Sequence, residues 1–153
     1  MEFFQAIEQL GAVRLLKSSV LAYPIVNALH IAAIGALLTS VLLMDFSVLG
    51  AIRSVPREKL VALLRRVALA AFAIAVLTGV TMFSIQATHY VRNSVFLLKL
   101  GLIALAALNF VAFTVLETRS GEASAVLRIL VVTSILLWSG VLLAGRFIGF
   151  VQG

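Results

Sequence analysis

Few side chains in this sequence could do chemistry, and they lie far apart. The stretch Tyr23 to Gly50, YPIVNALHIAAIGALLTSVLLMDFSVLG, holds His30, with Asn27 one turn earlier on the same helical face. From Val20 to Met44 there is no Asp, Glu, Lys or Arg. A run of that length crosses a ~30 Å hydrocarbon core at ~1.5 Å per residue. An imidazole at such depth is costly without a partner, so it marks a functional site. Other nitrogen-bearing side chains in or beside apolar runs include His89, Lys99, Asn109 and Arg146. A deep imidazole is an axial ligand for haem iron. The two propionates of a haem would call for cations such as Lys99 and Arg146, the arginine in bidentate fashion.

The elements that must position these residues follow from composition. The chain has 153 residues, of which 63% are hydrophobic and 12% charged, and its mean hydropathy is +1.18. A soluble domain carries about 25% charged residues, so the expected class is an all-α integral membrane four-helix bundle, residues 1–153 forming one transmembrane domain. Apolar runs predict spans over 22–49, 67–88, 95–116 and 129–150, interrupted only by Asp45, Lys99 and Arg146. Pro24 fits the first turn of span one, where its missing N–H is not needed. Ser54 and Pro56 are helix-start signals that let span two begin in water. Glu117 to Arg128 reads as a polar loop containing Gly121. In residues 2–17, Phe3, Phe4, Ile7 and Leu10 recur at helical spacing while Arg14 and Lys17 suit lipid head groups. They read as an interfacial amphipathic helix, or as one packed across the bundle mouth.

Charge sets the expected orientation. The net charge is +6 and there is no cysteine, which excludes disulfides, thiolate metal sites and iron–sulfur clusters. In so apolar a chain the positive charge reads as topology and anionic lipid rather than nucleic acid, and no signal peptide is expected. Arg53, Arg57, Lys59, Arg65, Arg66, Arg119 and Arg128 fall in the connections after spans one and three. By the positive-inside rule those connections face the cytoplasm and both termini face outward, the setting expected being a bacterial inner membrane. Asp45, at the cytoplasmic end of span one, is expected to pair with Arg53, Arg65 or Arg66.

Antiparallel topology then places His30 roughly 10 Å below the outer end of span one. Lys99 and Arg146 fall about one turn inside the outer ends of spans three and four, and His89 at the outer end of span two. Each also has a bland reading. Lys99 and Arg146 can snorkel to head groups, His89 can be solvated, and His30 can bond Asn27 or a neighbouring helix. Asn109 reads as hydrogen-bonding glue between helices. With two histidines a zinc site is poorly supported. Gly35, Gly79, Gly101, Gly140 and Gly145 would admit a flat macrocycle, or simply close helix packing.

The motifs YPIVNALH (Tyr23–His30), DFSVLG (Asp45–Gly50), LTGVTMF (Leu77–Phe83), NSVFLLK (Asn93–Lys99) and WSGVLLAGRFIGF (Trp138–Phe150) resemble an uncharacterised family of small bacterial four-span membrane proteins. More distantly, the chain resembles HemJ-type protoporphyrinogen oxidases and CopD-like membrane domains. The HemJ likeness implies a haem b site, a functional histidine at His30 and a functional lysine at Lys99. That pattern also has a Trp shortly before the Lys and a later His in span three. Here those positions hold Ser94-Val95-Phe96 and Asn109.

The expected function is therefore haem b binding in electron transfer or porphyrin redox chemistry, with His30 as the iron ligand. Lys99 would be a second ligand or a propionate partner, Arg146 a propionate partner, His89 an outside candidate for the sixth position, and Asn27 a neighbour of the site. Two chains could share one haem. One alternative is a cofactor-free scaffold or accessory subunit of a larger complex. A second is a small-solute or ion transporter, for which only Asn109 and the Thr78–Gly79 pair suggest a polar path.

Overall fold

The computed structural model describes residues 2–120 and 125–150. Gly121 lies outside the described residues, as does the side chain of Arg119. Every element is helical: α1 (Glu2–Glu8), α2 (Gly11–Ser18), α3 (Ala22–Val48), α4 (Arg57–Ile85), α5 (Ala87–Arg92), α6 (Ser94–Ser120) and α7 (Ala125–Phe147). Four of them, α3, α4, α6 and α7, are long and apolar enough to cross a membrane.

The N-terminal segment is two helices rather than one. Leu10 is extended at φ −57° and ψ 136°, and the following Gly11 is a poor helix former that tolerates the break. Phe4 turns inward and meets Phe83 of α4 edge to face at 6.3 Å, while Phe3 stays exposed. Thus α1 packs on the bundle. Glu8 accepts the Thr88 N–H at 2.8 Å and also the Thr88 hydroxyl, holding α1 to the first turn of α5. These two bonds hold the Glu8 carboxyl below its ordinary value.

Ser19 accepts the Ala22 N–H at 3.2 Å, serving an open donor at the start of α3. At the other end Gly50 adopts φ 79°. The Ala51 N–H reaches the Phe46 carbonyl at 2.9 Å and the Gly50 N–H reaches Ser47 at 3.1 Å. This is a Schellman ending, and it needs a residue that takes left-handed backbone without strain. Pro56 precedes α4, which continues through the basic segment into the apolar run. A kink at Gln86, φ −140°, separates α4 from α5. Asn93 then caps α6 by accepting the Val95 and Phe96 N–H groups at 2.9 and 3.2 Å.

The long helices form two antiparallel hairpins, α3 with α4 and α6 with α7, joined where α3 packs on α7. Among the described residues α4 and α6 have no close backbone approach. The shared core includes Leu37, Val41 and Met44 of α3, Ala68 of α4, Ala106 of α6 and Trp138 of α7. Most other large apolar side chains are exposed, as lipid-facing helices require.

Candidate functional site

His30 lies on α3, half-buried, where α3 packs against α4. Its Nδ1 is 2.8 Å from Thr78 Oγ1. Thr78 Oγ1 is in turn 2.7 Å from the Ile74 carbonyl, one turn back on α4. A hydroxyl carries one proton, and a threonine in a helix gives it to the i−4 carbonyl. The hydroxyl oxygen is then an acceptor, so Nδ1 carries the imidazole proton and donates it to Thr78. That fixes the tautomer and leaves the Nε2 lone pair available.

The ring is seated on Gly79. A methyl group there would lie 3.1 Å from His30 Cε1, closer than ordinary packing allows, so the absence of a side chain makes the seat. Lys99 also lies beside a glycine, on the other hairpin, but at ordinary van der Waals distance. It is half-buried on α6, and a methyl at Gly145 of α7 would lie 3.4 Å from its Nζ and 3.5 Å from its Cε. His30 and Lys99 both lie near the starts of their helices, at the end of the bundle away from the Glu117 ion pairs. Among the described residues no acidic side chain pairs with Lys99. A methyl at Gly35 or Gly101 would meet nothing within 4 Å, and one at Gly140 would meet only Leu102, at 3.5 Å.

The other expected site residues stand apart. Asn27 is half-buried one turn along α3, but the partner of His30 is Thr78. Arg146 is exposed and lies over the Phe150 ring at 5.3 Å. His89 is exposed on α5, with its ring edge to face with Tyr90 at 6.0 Å. No hydrogen bond, ion pair or ring contact joins either to His30 or Lys99 among the described residues. Asn109 donates to the Leu130 carbonyl at 3.0 Å and so links α6 to α7. An aromatic cluster closes the His30 end: Phe83 stacks on Phe96 at 5.5 Å, and Tyr90 lies 5.3 Å from Phe96. Burial, with the Tyr23 phenol nearby, pushes the Tyr90 phenol up.

At the opposite end Asp45 is not paired with Arg53, Arg65 or Arg66. Glu117 of α6 takes Arg65 at 2.9 Å and Arg57 at 3.1 Å. The long-range partner thus replaces the one nearer in sequence. Among the described residues no group of three His, Cys, Asp or Glu side chains could hold a metal ion.

Thr78 enters the sequence reading only beside Gly79, as a hint of a polar path, and was missed as the partner of His30. Its signal was depth: His30 is about as far from the start of α3 as Thr78 is from the end of α4, and antiparallel helices bring such positions level.

Fold and site together define a multi-pass helical membrane protein that holds one oriented imidazole near one end of its bundle. The chain belongs to a family of unknown function, DUF6644, whose model matches residues 7–151. No curated protein and no solved structure matches it.

Proposed function

We propose that the protein binds haem b, for membrane electron transfer or porphyrin redox chemistry, with His30 as an axial ligand. The observation that carries this reading is the relay from His30 Nδ1 to Thr78 and on to the Ile74 carbonyl. Histidines that ligate metals donate their other ring N–H in this way, which orients the ring and raises its basicity. A haem asks for one or two axial ligands, so it needs no cluster of three donors. When bound, haem b supplies one-electron exchange at iron. The protein's part would be to present Nε2, to hold the Cε1 edge of the ring against Gly79, and to offer Lys99 either as a cation to a propionate or, deprotonated, as a second ligand. Arg146, at the same end, is available to a second propionate if it leaves Phe150. Taking the basic connections as cytoplasmic, this end faces outward in a bacterial inner membrane, and two chains can share the group.

The test is haem content per chain after purification from haem-replete cells. His30→Ala is expected to lose bound haem and His89→Ala to keep it. Equal haem in His30→Ala and wild type would remove His30 as the ligand.

The cofactor-free scaffold reading rests on the same bond, since His30 and Thr78 link α3 to α4. It separates on substitution: a purely structural imidazole is replaceable by a side chain such as Gln without loss of any bound group.

A further inference from the structure

At the end of the bundle away from His30 lies a cavity of about 300 Å3 lined by all four long helices. Its wall is apolar and aromatic. Phe72 and Trp138 meet edge to face at 6.4 Å, and Phe110 and Phe113 extend the aromatic lining. Four polar side chains interrupt it, Asp45, Arg65, Asn109 and Ser134. Asn109 already donates to the Leu130 carbonyl, whereas Asp45 and Arg65 each keep an unpartnered atom among the described residues. Asp45 is only 8% exposed. Ser134 of α7 bonds its carboxyl, yet its Oδ2 has no hydrogen-bond partner among the described residues. Arg65 is held by Glu117 through Nη2, while its Nε is buried without a partner among the described residues. Buried polar atoms left in this state cost free energy that a ligand can recover.

The polarity selects the ligand. An organic cation would meet the Arg65 guanidinium, and a carboxylate or phosphate would meet Asp45. A neutral head bearing carbonyl or hydroxyl oxygens satisfies both: one oxygen accepts from Arg65 Nε–H, and at Asp45 a hydroxyl donates to the carboxylate or a carbonyl accepts from the protonated carboxyl. The route of entry is equally specific. Leu69 of α4 and Val111 of α6 line the cavity and are exposed. They flank the gap where α4 and α6 do not approach, so the mouth opens sideways to lipid.

We infer that this cavity binds a lipid-soluble quinone or its quinol, the flat ring among the aromatic side chains, the ring oxygens on Asp45 and Arg65, and the tail leaving between α4 and α6. The inference stands independently of haem at His30.

Trp138 is the single tryptophan of the chain and lines the cavity, so its fluorescence reports occupancy. The full chain in phosphatidylcholine nanodiscs is titrated with decyl-benzoquinone. The expected result is quenching that saturates at equimolar quinone, and that Asp45→Leu weakens about tenfold. Asp45→Asn, which keeps a hydrogen-bonding head, retains binding. Ala107→Phe narrows the wall without removing a polar group, so it decides the matter if Asp45→Leu does not fold; it too is expected to weaken quenching. Quenching that never saturates and is equal in wild type and Ala107→Phe would overturn the inference, as simple partition into lipid. Equal displacement of the quinone by decylbenzene would also overturn it, because the oxygens would then go unrecognised. Stronger displacement by decylammonium would assign the cavity to a cation instead.

Discussion

The Nδ1 of His30 on α3 and the Oγ1 of Thr78 on α4 are 2.8 Å apart, although 48 positions separate them in sequence. The contact fixes which ring nitrogen is free, and it ties one hairpin together at the depth of the site. The bond from Thr78 back to Ile74 is the usual i−4 bond of a helical threonine, made also by Thr81 and Thr114; what sets Thr78 apart is the second partner across the helices.

Thr78→Val keeps the shape and removes the acceptor. Loss of such an outer partner typically costs 10–100-fold in metal affinity, so haem retention should fall by about that factor. Thr78→Ser should restore it. Dialysis against a haem-scavenging protein measures the difference, and unchanged retention in Thr78→Val would show that the relay does not tune the ring.

Gly79→Val places a branched side chain where even a methyl would be 3.1 Å from the His30 ring. The imidazole must swing away, and bound haem should be lost while the helical circular dichroism persists. Gly35→Ala on α3, with nothing within 4 Å, should leave both unchanged. If the two substitutions behave alike, the ring is not seated on Gly79.

Docking of α1 should weaken in acid. The Glu8 carboxyl is held below its ordinary value of 4.5 by the two Thr88 bonds. A lowered folded value means that the stabilisation is fully present above 4.5 and is lost as pH falls through the folded value. The protection factor of the Thr88 amide, its exchange rate relative to the intrinsic rate at the same pH, should therefore fall in acid for wild type. In Glu8→Gln it should be low at neutral pH as well; protection equal to wild type would show that the carboxylate does not hold α1.

Glu117→Gln removes both ion pairs that join α6 to α4. The three side chains are about a quarter to a third exposed, so each pair contributes at most about 1 kcal/mol after solvent screening. Thermal unfolding in detergent should show a small loss for Glu117→Gln and about half of it for Arg57→Gln. A collapse of the fold would mean that Glu117 does more than pair.

Much of this arrangement was legible in the residues themselves. Long apolar runs announce α3, α4, α6 and α7, because lipid leaves helices few other ways to satisfy their backbone. His30 and Lys99 stand out by depth, and each lies near the start of its helix at the end of the bundle away from Glu117. What was hidden depended on pairing between distant elements. The break at Leu10 is a local backbone choice within a continuous amphipathic pattern. Asp45 stands among basic residues in sequence, but Glu117, arriving from the end of α6, takes Arg57 and Arg65. Arg146 shares the end expected of it, yet packs on Phe150 rather than turning inward.

The most direct measurement is the visible spectrum of the detergent-purified protein, oxidised and then dithionite-reduced, for wild type and His30→Ala. The account expects a Soret band that shifts on reduction, at one haem per one or two chains, and its disappearance in His30→Ala. A flat spectrum in wild type from haem-replete cells would contradict it and leave His30 as a bond between helices.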